Sequence, residues 1–174
     1  LAAQFTELAL RVEPLNPELL ATLSCFYQDL SEHSKGIETA KLCYSVTQGL
    51  ANKVYASFLI VRSLMGAGGY WDEFCLALET QKSLLPSLIE EQPTSLTQAA
   101  TIRLFISVFF FPYFQDMPQE NIQIRSQLAQ LAQLNVENYA KEKVEKCRQR
   151  RSPLLKIDLP GKRLKIGYLS HCLR

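Results

Sequence analysis

Histidine is scarce in this chain and cysteine is dispersed, and both facts exclude chemistry. Cys25, Cys43, Cys75, Cys147 and Cys172 include no CxxC pair, and only His33 and His171 stand beside them. No zinc site can be assembled from such spacing. His171 and Cys172 are adjacent, so on an extended chain they point to opposite faces and form no nucleophile–base pair. Cys25, Cys43 and Cys75 fall in helical stretches, where a thiol is most simply a small buried apolar group. A reducing, cytoplasmic compartment fits that usage. Long hydrophobic runs are missing as well. Leu104–Phe114 is strongly apolar, but Pro112 interrupts it and it falls short of the ~20 residues that cross a bilayer. It is expected to be a buried core helix, with no membrane partner. The first residues, LAAQFTELAL, already have a helical pattern and not that of a signal peptide. They include no initiator Met, so the chain is taken as a piece of something longer.

What is present describes a globular protein: 174 residues, 47% hydrophobic and 21% charged, enough for one domain or one domain and the start of another. Charge is uneven. Residues 1–100 carry 11 acidic and 6 basic side chains, net −5, and residues 101–174 carry 6 and 13, net +7. Two functional segments follow from that division.

The stretch Gly68–Pro86, GGYWDEFCLALETQKSLLP, runs from a Gly turn through an aromatic and an acidic pair into an amphipathic run closed by proline. The second helix of a tetratricopeptide repeat is written this way, and such repeats recur every ~34 residues. Counting back 34 from Phe74, Leu78, Gln81 and Pro86 lands on Ala40, Tyr44, Thr47 and Asn52. The preceding helices align at 38 instead, Leu20, Leu23, Ser24 and Tyr27 falling opposite Phe58, Val61, Arg62 and Met65. The extra four residues are therefore expected in the polar stretch Ser31–Gly36. Ala2, Ala9 and Pro14 fit a third, partial copy. These spacings predict helices over 17–30, 37–50, 52–66 and 70–85, with Pro17 near the first turn of its helix. Arg62 and Phe74 replace small residues, so the second pair is expected to be splayed.

After Pro86 the register fails, and capping helices are expected. Thr94 or Ser95 is expected to cap a helix over 96–111 that is apolar on nearly all sides and so must be buried. Pro112 should end it. A long helix over 119–149 follows, and its end, AKEKVEKCRQRR, is basic. Without interleaved aromatic residues that end is better explained as a solvated helix terminus than as a nucleic-acid site. Ser152-Pro153 should break the helix, and LLKIDL, a Pro160-Gly161 turn and RLKIGYLS should be extended, Leu164, Ile166 and Tyr168 alternating as in a strand.

Lys162–Arg174, KRLKIGYLSHCLR, resembles the first strand and following loop of the catalytic region in the O-GlcNAc transferase/SPINDLY family, most closely its bacterial, cyanobacterial-type members. The segments PYFQD (Pro112–Asp116) and NYAKEKVEKCRQRR (Asn138–Arg151) resemble the helical part and linker that follow the repeats there. The resemblance implies a protein O-glycosyltransferase whose nucleotide sugar, UDP-N-acetylglucosamine or GDP-fucose, binds in lobes beyond Arg174. The family's active-site histidine would also lie beyond Arg174, so His171 is not its counterpart. No catalytic, cofactor-binding or metal residue carries over, and the fragment itself is expected to be inactive.

The expected architecture is all-α: a right-handed tetratricopeptide-type solenoid over 1–90, capping and linker helices over 91–151, and a short β segment within 152–174. In such arrays the first helix of each pair lines the concave face, which makes Gln28, Leu59, Ser63 and Gly66 the candidates for binding acceptor proteins. A non-enzymatic adaptor with the same repeats is the alternative. Association of the chain with itself stays open.

Overall fold

The computed structural model describes residues 1–114 and 116–155, and among them it is all-helical, with no strand. The helices are α1 (Ala2–Val12), α2 (Pro17–Asp29), α3 (His33–Val46), α4 (Leu50–Ala67), α5 (Trp71–Glu91), α6 (Gln98–Ile106), α7 (Phe111–Phe114), α8 (Pro118–Tyr139) and α9 (Lys141–Leu155). The chain divides into two units, Leu1–Tyr139 and Ala140–Arg174. The strand expected over 162–174 lies outside the described residues.

In the first unit each of α1 to α4 packs on the next, α4 also packs on α5, and α2 touches α4 as α4 touches α6. α2 and α3 are antiparallel: Cys43 Sγ, near the end of α3, donates to the carbonyl of Pro17, the first residue of α2, at 3.4 Å. Further along, Ser24 Oγ donates to the Gly36 carbonyl at 3.1 Å. Asn16 opens α2 by accepting from the backbone N–H groups of Glu18 and Leu19, and Pro17 occupies the first turn, where no N–H is needed.

Burial repeats at 38 positions through both helices of a pair, not at 38 and then 34. Leu20, Ala21 and Leu23 are buried, as are Phe58, Leu59 and Val61; Gly36, Ala40, Cys43 and Thr47 are buried, as are Phe74, Leu78, Gln81 and Leu85. The turns match too. Leu30–Glu32 and Gly68–Tyr70 join their helices, with left-handed backbone at Ser31 (φ 60°) and Gly69 (φ 75°). The four extra residues thus do not lie in Ser31–Gly36, of which His33–Gly36 is already helical. The second pair is instead longer at the start of its first helix: α4 begins at Leu50, five residues before the Tyr55 that Pro17 plus 38 would give.

Other expected boundaries moved for identifiable reasons. α5 runs five residues past Pro86 because Leu85 and Leu88 are buried at 1% and 0% exposure on its inner face, with Pro86 on the outer. Burying such side chains stabilises by about 1.5–3 kcal/mol each, enough to offset about 3 kcal/mol for an interior proline. Thr97, not Thr94 or Ser95, caps α6, its hydroxyl accepting from Ala100 N–H at 3.2 Å. The preceding stretch is held by Asn135, which is fully buried on α8: it accepts from Leu96 N–H at 2.8 Å and donates to the Pro93 carbonyl at 2.7 Å. α6 ends at Ile106, and Pro112 sits inside α7 instead of terminating a longer helix. The helix expected over 119–149 is divided at Ala140, where neither Gly nor Pro stands and no local cause is evident. α9 continues through Pro153 to Leu155, so the backbone is not extended there.

Three clusters form the core: a small one of Ala3, Leu23 and Tyr27, and two larger ones that both pack against Ile60. One of the larger two gathers Val54, Val61, Leu64, Phe74, Leu78, Leu85, Leu104, Phe111 and Leu128; the other gathers Leu20, Ala21, Ala40, Cys43, Phe58 and Leu59. Only part of the apolar segment after Thr97 joins them. Leu104, Val108 and Phe111 are buried, but Ile102, Phe105 and Ile106 of α6, which turns a single face to α4 and α8, remain about half exposed, as does Phe109 in the turn after it. The expectation that this helix is buried on all sides does not hold.

Two substitutions test the backbone assignments by thermal unfolding followed by circular dichroism. Pro86→Ala restores a helical hydrogen bond and should raise stability by about 1–3 kcal/mol. Ser31→Gly relieves a left-handed residue and should raise it by about 0.5–1 kcal/mol.

Candidate functional site

α2, α4 and α6 border a cavity of about 320 Å³ that the C-terminal end of α3 closes from one side. Glu18 stands in the first turn of α2, Tyr55 and Ala56 on α4, Arg103 on α6, and Cys43 and Thr47 at the end of α3. Exposed Gln48 and Asn52 stand at its edge. The Arg103 guanidinium donates two parallel bonds to the Glu18 carboxylate, Nη1 to Oε1 at 2.6 Å and Nη2 to Oε2 at 2.5 Å. It also lies over the Tyr55 ring, 5.1 Å from the centroid. A planar fork paired in two bonds with a carboxylate, its cation over an aromatic ring, is a geometry arginine suits and lysine does not.

Electrostatics follow from that pairing. The bond from Arg103 holds the Glu18 carboxyl below its ordinary value, and the same bond raises the Arg103 guanidinium. Burial pushes up the Cys43 thiol, so it is no thiolate nucleophile; its Sγ donates to the Pro17 carbonyl, and the Thr47 hydroxyl donates to the Cys43 carbonyl at 2.7 Å. Burial likewise raises Tyr55. The arrangement offers charge recognition and hydrogen bonding, not covalent catalysis. Among the described residues no group of His, Cys, Asp and Glu is placed to hold a metal ion.

The four residues expected to line a groove are placed differently from one another. Leu59 and Ser63 are both 1% exposed, so neither side chain reaches solvent. Leu59 joins the core cluster of Leu20 and Phe58. Gln28 is half-buried and Gly66 exposed, and these two do meet: a Cβ on Gly66 would stand 3.0 Å from Gln28 Oε1, and one on Gly36 would stand 2.2 Å from its Nε2. The two glycines make room for the Gln28 amide in the seam between helices. Its Nε2 and the Ser63 hydroxyl are buried without a hydrogen-bond partner among the described residues.

Arg103 and Glu18 are absent from the sequence expectations. A signal was available: Arg103 is the sole cation between Lys82 and Arg125, placed in an otherwise apolar helix. Its partner, 85 positions away, was not legible. A second opening of about 430 Å³ lies between α5 and α8, lined by Leu85, Pro86, Ile89, Ile124 and Gln127, with a Lys82–Glu120 ion pair at 3.3 Å beside them. No helix among the described residues is long and apolar enough to cross a membrane. No protein-family model, curated protein or solved structure matches the chain.

The Glu18–Arg103 pair fixes a pH dependence. A carboxylate whose folded value is depressed contributes stability that is full above its ordinary value of 4.5 and lost as pH falls through the folded value. With Glu18 63% exposed, the whole pair contributes about 0.2–1 kcal/mol. The part of the cost of Arg103→Gln that comes from the pair should be present at pH 7 and lost once Glu18 is protonated, and the substitution should return the Glu18 midpoint to its ordinary range in a carboxyl NMR titration.

Proposed function

We propose that residues 1–139 are a polypeptide-binding helical-repeat module of the tetratricopeptide type, and that in its parent protein the module recruits acceptors for a protein O-glycosyltransferase. The observation that carries the first part is the helix pair recurring at 38 positions, with a cavity opening among α2, α4 and α6. First helices set side by side make a continuous wall, and an extended chain lying along it meets side chains from successive pairs. α7 and α8 close the far end of the stack in the role of a cap.

The second part rests on the residues of KRLKIGYLSHCLR, which resemble the opening strand of the transferase catalytic region. The sugar donor would then be UDP-N-acetylglucosamine or GDP-fucose, bound outside the described residues. The repeats would raise the local concentration of acceptor near it. A cytoplasmic setting suits the free thiols of Cys25, Cys43 and Cys75. The second reading, a non-enzymatic adaptor, is favoured by the same cavity, which needs no downstream lobe to bind a partner.

The test uses the parent protein with radiolabelled UDP-N-acetylglucosamine and GDP-fucose in a lysate, against a version lacking residues 1–90. Label transferred from one donor and lost on deletion is expected. Label unaffected by the deletion would remove the recruiting role, and no label from either donor would leave the adaptor.

A further inference from the structure

The Glu18–Arg103 pair bridges two helices that do not otherwise pack: among the described residues α2 touches α1, α3 and α4, and α6 touches α4 and α8. The two side chains therefore span the opening among α2, α4 and α6. They are also the only charged residues lining the cavity among those described. Their surroundings are unequal. Arg103 is 29% exposed and lies over the Tyr55 ring, whereas Glu18 is 63% exposed on the first turn of α2. A rotation about its side-chain bonds takes Glu18 into water at little cost. Arg103, left behind, would be a partly desolvated cation without a counter-ion, which is unfavourable until another anion arrives. A cationic ligand taking Glu18 would create that same uncompensated Arg103, so the asymmetry selects an anion.

We propose that Arg103 is the anchor for a carboxylate side chain of an extended acidic polypeptide, and that Glu18 occupies this anchor until such a segment displaces it. The inference rests on the polypeptide-binding reading above and names the partner's chemistry. Glu18 already demonstrates the geometry, two parallel N–H···O bonds within 2.6 Å. The Tyr55 ring, 5.1 Å from the guanidinium carbon, keeps a favourable contact with the cation during the exchange. Gln48 and Asn52 supply exposed amide groups beside it that can pair with the incoming backbone. Because Glu18 is tethered, it competes at a high effective concentration, so one ligand carboxylate gains little without neighbouring backbone contacts. Opening the bridge also frees the space it spans, which couples ligand entry to release of α2 from α6.

The experiment measures fluorescence anisotropy of a short labelled peptide alternating Glu and Ser, and of its Gln/Ser counterpart, with the purified chain. Glu18→Gln should tighten the Glu peptide by about fivefold, the gain from removing a partly exposed competitor, and leave the Gln peptide unchanged. Arg103→Gln, alone or with Glu18→Gln, should abolish the preference for Glu. Matching far-ultraviolet circular dichroism among the variants keeps misfolding from imitating either result. The proposal is overturned if Glu18→Gln fails to bind the Glu peptide or binds it no more tightly, or if the preference survives Arg103→Gln. Equal binding of both peptides would remove the carboxylate anchor while sparing the polypeptide-binding reading, whereas failure of that reading shows as neither peptide binding any variant.

Discussion

α4 is the element on which the first unit depends. Eight of its residues, from Val54 to Leu64, are buried, and α2, α3, α5 and α6 all pack on it. A helix covered on that many sides cannot be stable alone, since burying Val54, Phe58, Leu59, Val61 and Leu64 requires neighbours from both pairs. Each of those burials stabilises by about 1.5–3 kcal/mol. Both of the larger core clusters meet α4: Val54, Val61 and Leu64 belong to one, Ala56, Phe58 and Leu59 to the other. The cavity among α2, α4 and α6 exists because α2 and α6 are each held against α4 and not against each other.

The polar seam between α2 and α3 shows a different kind of constraint. Ser24 donates to the Gly36 carbonyl, and Gly36 leaves space for the Gln28 amide, which also borders Gly66 on α4. At the equivalent position of the next pair Phe74 replaces Gly36 and is buried at 4% exposure, stacked near Trp71 and Phe114. Arg62, which takes the place of Ser24, turns instead toward α2, its Nη1 donating to Cys25 Sγ at 3.4 Å and its Nη2 lying 3.6 Å from Asp29. One seam closes through small polar residues and the other through aromatic packing. The unpartnered Gln28 Nε2 costs the polar seam about 1–3 kcal/mol as an orphaned buried donor.

Helix existence was legible because it rests on local periodicity and turn chemistry. Asn16-Pro17, the glycines at 66–69 and the spacing of Leu20, Leu23 and Tyr27 were enough to place α2, α4 and α5. The register of α3 was misread by four residues because consensus positions were matched by residue type. Ala40 looks like the small residue that Phe74 replaces, but Gly36 is the one that burial equates with it. Helix ends at Pro86 and Pro112 were misplaced for a related reason. Proline's local cost is visible in sequence, whereas the burial of Leu88 and Phe111 that opposes it is a tertiary quantity. The site was least legible of all, since an ion pair between Glu18 and Arg103 depends on how four helices are stacked.

The half-exposed apolar residues of α6 follow from the same geometry. A helix that must meet both α4 and α8 can turn Leu104 inward and present Arg103 beside Tyr55, but Ile102, Phe105 and Ile106 then lie outside that contact. Aromatic rings continue outward from that point, Tyr55 stacked on Phe58 and Phe58 on Phe110, with Phe110 edge-on to Phe109 and tilted against Tyr113. The half-exposed apolar side chains of α6 and the Arg103 guanidinium at the cavity edge thus both follow from one constraint, that α6 packs on α4 and α8 through a single face.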